Sequence, residues 1–314
     1  MTASRIQQRP PEANSRPGPA SRLGRWINIG VPYFWLLVFF LLPFVIVLQI
    51  SLAEPMLGQP PYTALWEWAG DAMVQVRLNL ANYLLVLEDD LYLAAFLNSL
   101  WIALVCTILC LLIGYPMAYA IATAPERWRM PLLMLIVLPF WTSFLIRVYA
   151  WIGILKPNGL LNNYLMALGL IDEPLVILHT QLAIYIGIVY SYLPFMILPL
   201  YANLARMDHT LLEAAADLGC RPAQAFLRVT LPLSMPGIIA GSMLVFIPAV
   251  GEFVIPDLLG GPQSLMVGRM LWTEFFNNKD WPLASALAIV LLLLLVIPFV
   301  AMQRWQQRIE GQRT

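Results

Sequence analysis

Three charged side chains sit where charge is expensive. Arg147, Glu252 and Asp257 fall within long apolar stretches, and an ionised group there costs free energy unless it is paired or serves a pathway. Arg147 lies about 17 residues into its stretch and Glu252 about 16 into its own, which puts both at similar depth at about 1.5 Å per helical residue. One reading is a structural ion pair between them. The other is a route for a cation lined by Glu252 and Asp257. Those two point about 140° apart on an unbroken helix, but Pro248 and Pro256 interrupt it, which leaves a shared face open. The aromatics Trp141, Tyr149, Trp151, Tyr190 and Tyr192 lie near the same ends. They fit an interfacial belt or a lining whose ring faces attract cations.

Catalysis finds little support. The only lysines, Lys156 before Pro157 and Lys279 before Asp280, exclude a phosphate-binding Gly-Lys-Ser/Thr loop. Cys106, Cys110 and Cys220 have neither metal nor redox spacing. No nucleophile–base pair stands out, and no long charge run points to nucleic acid.

The elements that must position these residues are set by composition. The chain has 314 residues, 60% of them hydrophobic and 11% charged, too apolar for a soluble domain of this size to bury. A hydrocarbon core needs roughly 20 apolar residues per helix. Six stretches qualify, at about 29–51, 97–122, 130–152, 180–203, 236–258 and 283–303. The fold class is therefore all-α, a polytopic membrane protein with six transmembrane helices. Residues 1–28 read as a disordered cytoplasmic tail, 29–303 as the transmembrane domain and 304–314 as a second cytoplasmic tail. Ser51-Leu52-Ala53 resembles a cleavage site, but the preceding apolar run is too long for a signal core, so the first span reads as an uncleaved anchor.

Basic residues set the direction. Arg5, Arg9, Arg16, Arg22 and Arg25 precede the first span; Arg127 and Arg129 lie in the second-to-third connection; Arg206, Arg221 and Arg228 lie in the fourth-to-fifth; Arg304, Arg308 and Arg313 follow the last. The other loops carry only Arg77, Lys156, Arg269 and Lys279. Both termini are thus cytoplasmic. This topology puts the only histidines, His179 and His209, on opposite sides of the membrane, which excludes a His-Glu-x-x-His zinc site.

The polar segment at 204–235 then faces the cytoplasm. It reads as a short helix over 211–218, a turn at Gly219, and a second short helix over 223–229 ended by Pro232. Glu213-Ala214-Ala215 occupies the first helix, and Val229-Thr230-Leu231-Pro232 closes the second. An exposed helix pair tied to two spans suits the docking of a soluble motor, with Glu213 free to pair with a basic partner.

These spacings resemble the Glu-Ala-Ala coupling loop of ATP-binding-cassette (ABC) importer permeases, with Val229 in place of the usual isoleucine. Further stretches, Ile146 to Trp151, Gly159 to Asn162, Phe246 to Pro262 and Gly268 to Trp281, look like the permease subunits of polyamine importers, the putrescine permeases above all. The resemblance covers roughly residues 30–305. It implies the MetI-like permease fold, a bacterial inner-membrane location and a pathway shared with a second, homologous permease. It also implies two copies of a cytoplasmic ATPase below and a periplasmic polyamine-binding protein above. ATP and Mg would belong to the ATPase, and no cofactor to this chain. Glu213, Ala214, Ala215, Gly219, Val229, Leu231 and Pro232 are the implied coupling residues. Related permeases carry iron, thiamine and other solutes, and a stand-alone carrier is the alternative without a motor.

Overall fold

The computed structural model describes the backbone of residues 19–68, 74–76, 78–208, 210–262 and 264–311. Side chains are described over the same ranges, apart from 19–27, 66–68, 74–76, 298 and 301–311. Most of the predicted 1–28 tail, Arg77, His209 and Arg313 lie outside the described residues. The chain forms two compact units, Met1–Gln49 and Ile50–Thr314.

The first unit is a long helix, α1 (Pro19–Leu36), continued through a π-helical turn at Leu37–Leu41 into α2 (Leu42–Ser51). Helix thus begins at Pro19, inside the stretch read as tail. In the π turn the Leu42 N–H bonds back five residues to the Leu37 carbonyl. The wider turn makes room for Pro43, which has no N–H to donate.

The second unit begins with an outer segment holding a small antiparallel pair, β1 (Trp66–Trp68) and β2 (Val74–Val76), with Glu67 opposite Gln75. Nothing in the sequence pattern announced it. The short helix α3 (Ala81–Glu88) leads into α4 (Asp90–Thr123), whose first turn is capped by Asp89 Oδ1 accepting from the Leu91 N–H at 2.8 Å. Next come α5 (Glu126–Val137), a 3₁₀ turn to Trp141, α6 (Phe144–Leu155) and α7 (Leu160–Ala167).

Helix α8 (Gln181–Leu204) precedes the polar segment, which contains α9 (Thr210–Asp217) and α10 (Pro222–Ala225). A π turn at Phe226–Thr230, then α11 (Leu231–Leu233) and α12 (Met235–Val250), complete a 29-residue apolar helix from Pro222 to Val250. Beyond it lie α13 (Val254–Leu259), α14 (Val267–Trp272) with its own π turn to Asn277, and α15 (Trp281–Gly311).

Among the described residues, four helices are long and apolar enough to cross a membrane: Asn28–Ser51, Asp90–Thr123, Gln181–Leu204 and Pro222–Val250. A fifth crossing is a bent pair, Glu126–Trp141 and Phe144–Ala167, at 89°. The last apolar helix, Trp281–Ile297, is shorter by the same test.

Packing fixes the directions. The Cys110 Sγ lies 3.7 Å from the Val189 carbonyl and Gly114 lies against Met196 and Ile197, so α4 and α8 run parallel. Gly237 meets Asn203 and Gly241 meets Met196, so α12 runs antiparallel to α8. Small residues let membrane helices approach this closely. Because α4 and α8 are parallel, residues 124–180 must return the chain to the far end. The bent pair is therefore a crossing.

Besides the predicted tails, where residues 19–28 and 304–311 are helical, three predicted elements differ from the structure. The third span is broken at Thr142–Ser143, where both residues leave the helical region (ψ 149° and 140°) just after Pro139. The fifth span stops at Val250, and Gly251–Phe253 separate it from α13. Pro232 does not end a short helix. The preceding π turn lets Leu231 N–H bond to the Phe226 carbonyl, and the helix runs on past the proline.

A candidate coupling surface and a broken-helix site

At one end of the bundle, α9 begins where Asp208 Oδ1 accepts from the Thr210 N–H at 3.0 Å. It ends in a paired closure: Cys220 N–H bonds to the Ala215 carbonyl at 3.0 Å and Gly219 N–H to the Ala216 carbonyl at 2.9 Å. This helix stop needs a left-handed residue, and Gly219 has φ +77°. Pro222 then starts α10 at its first turn, where an N–H is dispensable.

Glu213 and Ala214 are exposed, Leu218 is 86% exposed, and Ala215 is buried. The opposite side of the helix pair is anchored. Phe226 lies edge-on to Tyr115 (5.6 Å) and Tyr119 (6.1 Å) on α4. The Tyr115 hydroxyl is 2.9 Å from Ser234 Oγ, and Thr230 is buried. Val229 and Leu231 are half-buried and Pro232 is exposed. Arg127, Arg129, Arg206, Arg221 and Arg228 belong to this same end, with Arg129 Nε bonded to the Ala124 carbonyl at 2.8 Å. The result is an apolar and acidic face on a short helix, hung from a fixed aromatic anchor.

The second site lies around the two broken helices. Glu252 is 8% exposed. Its Oε2 accepts from the Tyr192 hydroxyl at 2.5 Å, and its Oε1 from the N–H groups of Val254 (3.1 Å) and Ile255 (3.4 Å). The break supplies these donors, since the first N–H groups of α13 have no helical partner. Asp257 is exposed and paired with Arg269 at 3.1 Å. Glu252 and Asp257 thus share no environment.

Arg147 and Glu252 do not pair. The Arg147 guanidinium lies over the rings of Phe140 (5.1 Å) and Phe144 (5.8 Å), and its Nε is buried without a hydrogen-bond partner. The matched depth assumed two straight helices, and both are interrupted between the membrane end and the charge. Trp141 is 80% exposed, Tyr149 is exposed, and Tyr190 packs edge-on to Trp151 at 5.3 Å.

Of the rings that surround these charges, sequence reasoning named Tyr192 but not Phe140, Phe144, Phe195, Phe253 or Trp272. Phe140 meets Phe195 at 5.3 Å, Phe195 meets Tyr192 at 6.0 Å, and Phe253 stacks on Trp272 at 4.5 Å. No spacing joins residue 192 to 252; the only signal was aromatic content near charged positions. Gly268 packs so closely on the break that a Cβ there would lie 2.3 Å from the Gly251 oxygen. Among the described residues there is no cluster of three metal-ligating side chains.

Comparison with known proteins gives the class, a membrane transport subunit. Residues 97–310 match the family of binding-protein-dependent transport system inner membrane components, and the chain belongs to it. It is 41% identical over 271 residues to the spermidine/putrescine transport system permease protein PotB of Haemophilus influenzae, covering 86% of this chain and 90% of that one. Against PotB of Escherichia coli K12 the identity is 43% over 243 residues, covering 76% and 88%. The inner membrane ABC transporter permease protein YdcU of the same organism is 33% identical over 310 residues, covering 93% and 96%. Among solved structures, a chain of a bacterial alginate ABC transporter, in complex with an alginate pentasaccharide-bound periplasmic protein, aligns with a TM-score of 0.66. At 17% identity, covering 92% and 96%, it shows the fold alone. These likenesses bear out the permease fold and the resemblance to polyamine permeases, in a multi-pass inner-membrane protein.

Proposed function

We infer that this chain is the transmembrane permease subunit of an ABC importer for putrescine or another polyamine, and that it couples to a cytoplasmic ATPase through residues 204–235. The observation that carries the coupling is the exposed Glu213–Ala214–Leu218 face, fixed to α4 by Phe226 and placed at the arginine-rich end. Arginines mark the cytoplasmic side. The polyamine assignment is supported by the PotB relatives.

Coupling needs a stiff lever. Pro222 to Val250 is one 29-residue helix, about 43 Å long at 1.5 Å per residue. It leads from the docking face to the break beside Glu252. A tilt imposed on α9 by ATP-driven closure of two ATPase copies is delivered there. A dication entering a low-dielectric route needs its charge balanced, and Glu252 is the acidic group nearest that break. A second, homologous permease completes the pathway, and a periplasmic polyamine-binding protein delivers solute from the other side. ATP and Mg are bound by the ATPase subunits.

The test is uptake of labelled putrescine and spermidine in cells lacking other polyamine importers and expressing this chain with its neighbouring subunits. ATP-dependent accumulation of either supports the assignment. An assembled complex that accumulates neither overturns the substrate class.

A further inference from the structure

The seat of Arg147 spans the bend of the third crossing. Phe140 precedes the Thr142–Ser143 break and Phe144 follows it, and the guanidinium lies over both rings. The same rings continue through Phe195 and Tyr192 to the Glu252 carboxylate. A carboxylate offers about four lone-pair sites, and Tyr192, Val254 and Ile255 occupy three of those on Glu252. A cation on aromatic faces, with two further rings leading from it to a carboxylate, is an arrangement that takes alkylammonium groups. The cation now in place is poorly satisfied, since its Nε is buried without an acceptor.

We propose that these rings and Glu252 form an alkylammonium-binding site in the translocation route, which Arg147 occupies from within the chain when no substrate is present. This rests on the polyamine-importer reading. An arriving polyamine sets one ammonium group on the ring faces in place of the guanidinium, and its methylenes run along Phe195 and Tyr192 toward the remaining Glu252 lone pair. Arg147 then leaves a seat built half on each side of the bend, so its departure frees the two halves of the crossing to change angle. Arg147 is a plug and a positioning residue, and the site selects for spaced ammonium groups.

The experiment uses the full importer complex in proteoliposomes, with wild type, Arg147→Gln and Phe140→Leu/Phe144→Leu compared at equal assembly. Two quantities are read: the half-saturating putrescine concentration for ATP-driven uptake, and ATP-independent efflux of preloaded putrescine. Arg147→Gln is expected to lower the half-saturating concentration about threefold or more and to open a leak. The double leucine variant is expected to leak while its half-saturating concentration rises. Neither a leak nor an affinity change in Arg147→Gln overturns the proposal. If Arg147→Gln does not assemble, absence of a leak in the double leucine variant overturns it. Efflux is driven by the preloaded gradient and needs no binding protein. It therefore reads the plug even if wild type fails ATP-driven polyamine uptake, a failure that counts against the substrate assignment alone.

Discussion

The two ends of this bundle solve opposite problems. At the arginine-rich end a polar helix pair is displayed: Glu213, Ala214 and Leu218 point outward, and one aromatic anchor holds the element in place. At the other end, polar groups are hidden. Glu252 is buried and satisfied by a hydroxyl and two freed backbone N–H groups, and backbone passes within reach of backbone at Gly268. The displayed end depends on local conformation and surface chemistry. The hidden end depends on contacts between residues far apart in sequence. Substitutions should therefore damage the first through function and the second through folding.

The largest structural effect is expected for Gly268→Ala. Its new Cβ would lie 2.3 Å from the Gly251 oxygen and 2.7 Å from the Glu252 oxygen, backbone atoms with little freedom to move. A loss of about 3 kcal/mol is expected, read as a sharp drop in the thermal stability of the solubilised complex. Unchanged stability would contradict a break held by close backbone packing. Next comes Tyr192→Phe, which removes a charge-assisted bond to a buried carboxylate, about 2 kcal/mol; uptake should fall with complex yield.

Gly219→Ala tests the displayed end. Nothing lies within 4 Å of the added Cβ, so the cost is only that of φ +77°, about 1 kcal/mol. The complex should assemble normally while uptake declines. If instead assembly collapses, the loop is structural and the contrast between the ends fails. The smallest effect is expected for Asp257→Asn, which breaks a half-exposed pair with Arg269 worth about 0.5 kcal/mol. Its uptake should change less than that of Tyr192→Phe in the same assay.

The same contrast explains what was legible in the sequence. The α9 helix, the Gly219 turn and the outward Glu213 follow from local rules, because a helix stop and an exposed acidic residue leave marks within ten residues of chain. Six apolar stretches were visible for the same reason. The breaks at Thr142–Ser143 and Gly251–Phe253 were not. Prolines announced disturbance without saying where the helix would part, and Pro232 announced a stop that a π turn then absorbed. Arg147 and Glu252 were visible as costly charges, but their partners were not. Depth counted along straight helices left them free to pair with each other, whereas the breaks gave Glu252 backbone donors and gave Arg147 two rings.

The most direct test of the coupling claim is made at Glu213. The complex carrying Glu213→Lys should reach wild-type levels in the membrane, because the side chain is exposed. Its ATP-driven putrescine accumulation should fall by about 30-fold or more, the effect of losing a dominant interface contact. Accumulation at the wild-type rate by an equally abundant Glu213→Lys complex would contradict the account.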